Sequence, residues 1–318
     1  MKTVDLVIPV FNEEEVIELF HAKLAAELKT LPYVFTIWYI NDGSKDDTAK
    51  KLKIISHEDE RVRVLELSRN FGHQAALTAG LDRANADYVI SLDADGQHPP
   101  EMIGEMLELA GNGYDIVLTE RMDTQSTSTF KRWTSSTFYR LINHIGSTQI
   151  TPGAADFRLL TRQVVEALRS MPEYHRFLRG MVAWVGFRSV ILPYTPPPRM
   201  AGYSKYSLAK MLRLSMDAIF SFSLVPLYIG ISLGMLMLFL ALVEMIYVIS
   251  FWVTGNISNL APGWSSLMFI ILIVGGFLMI SIGLIGVYIG YIFQEVKGRP
   301  VYLVREPADE PEKINAAD

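Results

Sequence analysis

Two carboxylates and an amide oxygen follow one apolar run of the chain. Asp93 and Asp95 lie two residues apart after residues 87–92, a run that predicts a covered parallel strand. Their side chains should therefore project from the same side of the chain, and Gln97 adds a neutral oxygen nearby. Hard oxygen ligands of this kind suit a divalent cation that shares phosphate oxygens with a substrate. The alternative is a solvated turn whose acids only cap the helix that the next Pro-Pro pair would open.

Apolar runs and helical spacing alternate through the first two thirds of the chain. Strands are predicted at 4–10, 35–40, 62–67, 87–92, 114–118 and, as an edge strand, 189–194. Helices are predicted at 13–28, 45–55, 72–84, 99–110, 127–145, 162–171 and 177–187, with Ser44 as a candidate cap of the second. This alternation indicates a mostly parallel, Rossmann-like sheet covered by helices on both faces.

Polar residues follow four of these strands. The clusters occupy positions 12–14, 41–44, 69–70 and 93–97. In parallel sheets, ligands bind beyond the carboxyl ends of the strands, where these clusters would meet. The sequence therefore predicts one ligand site at this edge rather than four independent helix caps.

Composition excludes several classes of protein. The 318-residue chain has no cysteine, which excludes disulfides, cysteine-ligated zinc and thiol nucleophiles. The net charge of −5 argues against a general nucleic-acid binder. A dinucleotide oxidoreductase is disfavoured because no G-x-G-x-x-G motif follows the first strand.

The last third of the chain is strongly apolar. Residues 218–243 contain no charge and exceed the about 20 residues that cross a bilayer, and a second span is predicted at 267–293. The loop at 252–266 carries interfacial tryptophans, and basic residues flank the two spans only on their outer ends. The positive-inside rule then places both termini in the cytoplasm. Residues 206–216 predict an amphipathic basic helix at the membrane interface.

We therefore expect four segments. A catalytic α/β domain occupies 1–198, and a basic loop with the juxtamembrane helix occupies 199–217. The two-helix transmembrane hairpin occupies 218–296, and a cytoplasmic tail occupies 297–318. Glycines of the second span would allow close helix contact; they are Gly275, Gly276, Gly283, Gly286 and Gly290.

Several motifs in this order resemble a known family. They are Val-Ile-Pro-Val-Phe-Asn-Glu at 7–13, Asn-Asp-Gly-Ser at 41–44, Asp-Ala-Asp-Gly-Gln at 93–97, and Arg-Met-Ala-Gly-Tyr-Ser-Lys-Tyr at 199–206 before the paired spans. The chain resembles inverting family 2 glycosyltransferases of GT-A fold over residues 1 to about 304. Within them it is similar to the polyisoprenyl-phosphate glycosyltransferases, especially the bactoprenol glucosyltransferases. Many relatives have Asp-Asp-Gly-Ser at 41–44, but this chain keeps Asp42.

The resemblance implies roles for individual residues. It places the nucleotide sugar against Pro9, Phe11, Glu13, Asp42, Asp93 and Asp95. It implies that Mg²⁺ or Mn²⁺ is held by Asp93, Asp95 and Gln97. The acceptor phosphate would meet Arg121, Arg132, Ser136, Ser204 and Lys205, and the catalytic group would comprise Asp156, Asp95 and Arg158.

The implied reaction is metal-dependent, inverting transfer of a hexose to undecaprenyl or another polyprenyl phosphate. Glucose from UDP-glucose is the expected donor, on the cytoplasmic face of the cell inner membrane, by a homo-oligomer for which a tetramer is expected. A phosphate monoester has a second pKa of about 6, so it is already a nucleophilic anion near neutrality. We therefore expect Asp156 to orient groups rather than to act as a general base.

Three alternatives remain open at this stage. The same enzyme could use mannose from GDP-mannose or an aminoarabinose derivative. A processive family 2 synthase is disfavoured because the chain lacks the Gln-x-x-Arg-Trp motif. A membrane scaffold that binds nucleotide without turnover is disfavoured by the intact carboxylate set around Asp93 and Asp156.

Overall fold

The structure is a computed structural model that describes residues 1–122, 154–174, 176–197, 225–254 and 263–305. Within these ranges the chain forms two compact units. The described residues up to 197, together with 299–305, form the first unit. The described residues from 225 to 298 form the second. The predicted juxtamembrane segment 199–217 lies outside the described residues.

The first unit alternates strands and helices as the sequence predicts. Its strands are β1 (Thr3–Val10), β2 (Val34–Asn41), β3 (Val62–Glu66), β4 (Tyr88–Ser91), β5 (Ile116–Arg121), β6 (Ala154–Thr161) and β7 (Ser189–Tyr194). Its helices are α1 (Ile17–Leu28), α2 (Thr48–Glu58), α3 (His73–Arg83), α4 (Ile103–Gly111), α5 (Arg162–Arg169) and α6 (Leu178–Trp184). A 3-10 turn at Pro100–Met102 precedes α4, so the Pro-Pro pair does introduce a helix.

The seven described strands form one sheet in the order β3-β2-β1-β4-β6-β5-β7. Neighbours are parallel except β6, which runs antiparallel to both β4 and β5. Strand β6 was not predicted from the sequence. The helix that begins at residue 162, directly after this strand, was predicted. Strand β7 is an edge strand, as predicted, and β3 forms the opposite edge.

The two faces of the sheet are covered by different helices. Alternate residues of β1 point to opposite faces. On one face Leu6 and Ile8 are fully buried in a core cluster with Phe20 of α1. On the other face α3 lies so close that a Cβ on Gly80 would be 2.2 Å from Val7 Cγ1. Glycine at position 80 therefore allows α3, and the side chains it carries, to pack directly on the sheet.

The second unit contains two long apolar helices, α7 (Val225–Thr254) and α8 (Trp264–Val296). Both are long and apolar enough to cross a membrane, with windows at Gly230–Tyr247 and Ile273–Val296. The helices approach each other where a Cβ on Gly230 would lie 3.4 Å from Ser281 Oγ. The five glycines of the second span lie away from this contact, since an added Cβ at any of them would meet no described atom within 4 Å, and their part in close helix contact stays a prediction.

Candidate active site

The four predicted polar clusters do meet at one edge of the sheet. Strands β1 to β4 are mutually parallel, so their carboxyl ends lie on the same side. Because β6 is antiparallel to β4, its amino-terminal half reaches this edge, and Ser91 is paired with Arg158. The chain thereby brings Asp156 and Arg158 beside the Asp93 loop.

Asp42 is buried at the end of β2 and is held by backbone amides. Its carboxylate accepts hydrogen bonds from the N–H groups of Phe71 (2.7 Å) and Gly72 (2.9 Å). Burial raises the pKa of Asp42, and the two amides oppose that shift. The loop 69–72 approaches closely enough that a Cβ on Gly43 would lie 2.5 Å from the Arg69 carbonyl carbon.

The neighbouring residues of this loop are tied to the end of β1. Ser44 Oγ accepts a hydrogen bond from the Asn12 N–H at 3.0 Å, and α2 begins only at Thr48. The prediction of Ser44 as the helix cap is therefore wrong, because its hydroxyl is used across the strand ends. Glu13 N–H donates to Thr48 Oγ1 at 2.9 Å.

The expected nucleotide-binding residues of the first strand lie beside this loop. Pro9 is buried in β1 in register with Ile40, while Phe11 and Glu13 follow the strand and are half-buried. Asp42 N–H in turn donates to the carbonyl of Val10 at 2.9 Å. The structure therefore brings together four of the predicted donor-binding positions.

The loop after β4 is shaped by its own side chains. The Asp93 N–H donates to His98 Nδ1 at 2.8 Å, and the buried His98 ring stacks on Phe157 with centroids 5.2 Å apart. The Gln97 N–H donates to Asp95 Oδ1 at 3.0 Å. His98 was not predicted as a site residue, and it fixes the backbone that carries Asp93.

The donor set after β4 matches a cation that completes its shell with water and phosphate. Within the described ranges, no three His, Asp or Glu side chains are arranged to hold a metal ion by themselves. Asp93 keeps a side chain that is 35% exposed, and Asp95 lies two residues further along the same loop. Gln97 Oε1 accepts from Arg121 Nη1 at a long 3.4 Å. Mg²⁺ commonly takes only one or two protein carboxylates beside substrate phosphates, so these oxygens fit such an ion.

Three basic side chains surround the buried carboxylate of Asp156. Arg179 donates to it from Nε (3.2 Å) and Nη2 (2.9 Å), and Arg158 donates from Nη2. His73 Nε2 lies 3.3 Å from Asp156 Oδ2. Burial by itself would raise the pKa of Asp156, but Arg179, Arg158 and His73 outweigh it and hold that pKa well below its usual range.

His73 joins the two halves of the site. At the first residue of α3, its Nε2 lies 3.7 Å from Asp93 Oδ1 as well as close to Asp156. Desolvation would lower the pKa of His73, but Asp93 and Asp156 raise it overall. The Asp93 side and the Asp156 side are thus linked through a single imidazole.

His73 and Arg179 were both missed by sequence reasoning. A lone histidine at a helix start and a lone arginine in an apolar helix carry no spacing signal. The one available signal was Arg179 itself, a charge in a helix whose other residues are mostly buried. Arg121 lies at the end of β5, while Arg132, Ser136, Ser204 and Lys205 lie outside the described residues.

Comparisons with known proteins identify the family of the chain. The family described as "Glycosyl transferase family 2" matches residues 5–169. The chain is 39% identical to a bactoprenol glucosyl transferase of Shigella phage SfII, over 95% of this chain and 97% of that protein. It is 38% identical to a prophage bactoprenol glucosyl transferase homolog of Escherichia coli K12, over 95% and 98% of the two chains.

Among solved structures, a complex of glucosyl-3-phosphoglycerate synthase from Mycobacterium tuberculosis with Mn²⁺, UDP-glucose and phosphoglyceric acid has a TM-score of 0.45 at 17% identity. That match covers 69% of this chain and 78% of the synthase. The family match and the phage relative carry the assignment. With its mostly parallel sheet of GT-A type and its carboxylate-lined strand ends, the chain belongs to glycosyltransferase family 2.

Proposed function

We propose that the protein transfers a hexose from a nucleotide sugar to a polyprenyl phosphate, with glucose from UDP-glucose as the preferred donor. The relatives named bactoprenol glucosyl transferase support the lipid acceptor and the sugar. The observation that carries the chemistry is the pair of carboxylate centres joined by His73, with Asp93 on one side and Asp156 on the other.

The reaction is a direct displacement at the anomeric carbon. An oxygen anion of the lipid phosphate attacks that carbon, and the bond from carbon to the nucleotide diphosphate oxygen breaks. The electron pair of that bond leaves with the nucleotide. Because the attack comes from the side opposite the leaving group, the configuration inverts. The acceptor phosphate is already an anion, so the enzyme needs to remove no proton. A carboxylate held by two guanidinium groups, as Asp156 is, makes a poor nucleophile, which disfavours a covalent glycosyl-enzyme route.

Asp156 and its cations organise the acceptor side. The pKa of Asp156 is held so low that the group remains a carboxylate throughout the physiological range. Arg158 and Arg179 offset its charge, which would otherwise repel an incoming phosphate. Arg179 keeps 25% of its side chain exposed and so faces the open part of this cluster.

The Asp93 loop would hold the donor diphosphate. Asp93, Asp95 and Gln97 would hold a divalent cation there, which would neutralise charge on the leaving diphosphate. His98 orients the backbone of Asp93, and Asp95 closes the turn to Gln97. Asp42, with Pro9, Phe11 and Glu13, would line the pocket for the base and ribose.

The membrane helices explain why the acceptor can be a lipid. We propose that α7 and α8 span the cell inner membrane with both chain termini in the cytoplasm. The basic residues before and after the pair support this orientation, since the intervening loop has none. Lys205, Ser204, Arg132 and Ser136 would then reach the lipid phosphate beside Arg121, and a homotetramer would present several such sites.

A transfer assay with a panel of donors tests the proposal. Detergent-solubilised protein is given UDP-glucose, GDP-mannose or a UDP-aminoarabinose derivative, with and without undecaprenyl phosphate. Acceptor-dependent release of UDP and a glucose-labelled lipid from UDP-glucose are expected. Nucleotide binding without lipid product from any donor would instead identify a membrane scaffold.

A further inference from the structure

The chain returns from the second helix to the first unit. Helix α8 ends at Val296, Gly298 takes a left-handed φ of +61°, and residues 299–305 join the first unit. We call residues 299–305 the C-terminal strap. The sequence predictions treated this segment as part of a tail, although it contains the apolar run Val-Tyr-Leu-Val at 301–304.

The C-terminal strap pairs with the chain just beyond the edge strand β3. Val304 forms an antiparallel bridge with the fully buried Leu67. Ser68 N–H donates to the Leu303 carbonyl (2.9 Å), and Arg305 N–H donates to the Glu66 carbonyl (2.8 Å). These bonds occupy polar backbone groups that an edge strand would otherwise leave unpaired.

The same strap also contacts the far end of α3. Tyr302 Oη donates to Asp82 Oδ2 at 3.0 Å. Burial, with Asp82 nearby, raises the pKa of Tyr302 to about 12, so the hydroxyl keeps its proton at physiological pH. The strap is therefore hydrogen-bonded to both ends of the segment from Glu66 to Asp82.

That segment carries a large part of the proposed donor site. Its loop supplies the two N–H groups that hold Asp42, from Phe71 and Gly72. The first residue of its helix, His73, contacts both Asp93 and Asp156. Only two residues, Arg69 and Asn70, separate the hydrogen-bonded Ser68 from Phe71.

We propose that the C-terminal strap is a positioning element for the nucleotide-sugar site, acting through the 68–72 loop on Asp42 and through α3 on His73. The proposal rests on the proposed function, because Asp42 is assigned to the donor pocket there. No strap residue touches the substrate in this account. The strap restrains the 68–72 loop, whose N–H groups hold Asp42. Loss of the strap should therefore raise donor KM more than it lowers kcat.

Two truncations form the primary test. A chain ending at Gly298 loses the strap, while a chain ending at Glu306 keeps it and serves as the matched control. The shorter chain should bind UDP about three- to tenfold more weakly, the range expected from losing roughly one net hydrogen bond of restraint. Its Phe71 and Gly72 amides should also exchange with deuterium faster than in the full chain.

Point variants separate backbone pairing from surface charge. Arg305→Pro removes the N–H that donates to Glu66 and should reproduce most of the loss of UDP affinity. Arg305→Ala keeps that N–H and removes only an exposed ion pair to Glu66, so it should have far less effect. Tyr302→Phe removes the bond to Asp82 and should raise donor KM without preventing membrane insertion.

The outcomes divide clearly. Unchanged UDP affinity and unchanged amide exchange at residues 71 and 72 in the chain ending at Gly298 would overturn the proposal. This holds even if the Tm of that chain is lower, because the strap would then contribute only to stability. If the full-length protein binds neither UDP nor UDP-glucose, the proposed function fails. The exchange at Phe71 and Gly72 would still decide whether the strap restrains the loop.

Discussion

Replacing Asp156 by Asn tests whether this carboxylate is a base. The substitution keeps the side-chain volume but removes the charge that faces Arg158, Arg179 and His73. Arg158 is only 3% exposed, so removing its counter-charge should lower the free energy of unfolding by about 3–5 kcal/mol. The loss from Arg179 should be smaller because that side chain reaches solvent.

The effect on turnover should differ from the effect on stability. Loss of a true general base would cost about 10²–10⁴-fold in rate and would remove its limb from the pH profile. We expect a smaller loss for Asp156→Asn, a larger one for Asp156→Ala, and the same acidic limb near pH 6 in wild type and Asp156→Asn. That limb reports ionisation of the acceptor phosphate, whose second pKa is about 6.

The assay is kcat/KM for lipid glycosylation between pH 5 and 9, corrected for the folded fraction. Asp87→Asn is the matched control, since Asp87 is a 43% exposed carboxylate next to the amino-terminal end of β4. Folded Asp156→Asn and Asp156→Ala with equally negligible activity, and a wild-type limb that follows an enzyme carboxylate, would refute the reasoning.

The pH dependence of stability gives a second check on Asp156. The folded pKa of Asp156 is depressed, so its stabilisation is present above the unfolded value of about 3.9 and is lost as the pH falls below it.

Further variants test the metal site, the donor pocket, the membrane topology and the acceptor site. Asp95→Asn should abolish transfer and UDP-stimulated Mn²⁺ binding while the protein stays folded, and full wild-type activity in excess EDTA would contradict the metal assignment. Asp42→Asn puts an amide NH₂ against one of two backbone donors in a buried site, so UDP affinity measured by calorimetry should fall by roughly ten- to a hundredfold; unchanged affinity would remove Asp42 from the donor pocket. In this cysteine-free chain, Ser258→Cys in intact cells should react with an impermeant thiol reagent and Ser56→Cys should not, and the opposite pattern would reverse the topology. Lys205→Ala should raise the requirement for lipid phosphate about ten- to hundredfold with membrane association unchanged, whereas a variant that only detaches from membranes would assign Lys205 to headgroup binding.

The centre of the parallel half of the sheet was predictable because β1 and β4 are buried on both faces. Runs such as Val4 to Val10 are almost wholly apolar, and each is followed by a polar cluster. Strand β6 was missed because Asp156 and Arg158 interrupt its apolar character, although both are buried against each other. In the sequence such charged residues resemble a loop, whereas in the folded protein their ion pair allows them to be buried within a strand.

The site was predictable where it depends on strand ends and unpredictable where it depends on long-range contact. Asp42 and Asp93 lie where the topology rule places them. His73, by contrast, acquires its role only because α3 packs on β1 and brings the imidazole to Asp93 and Asp156. The C-terminal strap was assigned to the tail because sequence spacing does not show that Val304 returns to Leu67.

The stereochemistry of the lipid product shows whether the sugar is transferred in a single inverting displacement. Purified protein is incubated with UDP-glucose, whose glucose is α-linked, and undecaprenyl phosphate, and the extracted lipid is characterised by mass spectrometry and NMR. We expect a glucosyl group on the phosphate oxygen in the β configuration, formed by one displacement without a covalent enzyme intermediate. An α-linked product, or release of UDP with free glucose and no glycosylated lipid, would contradict this mechanism.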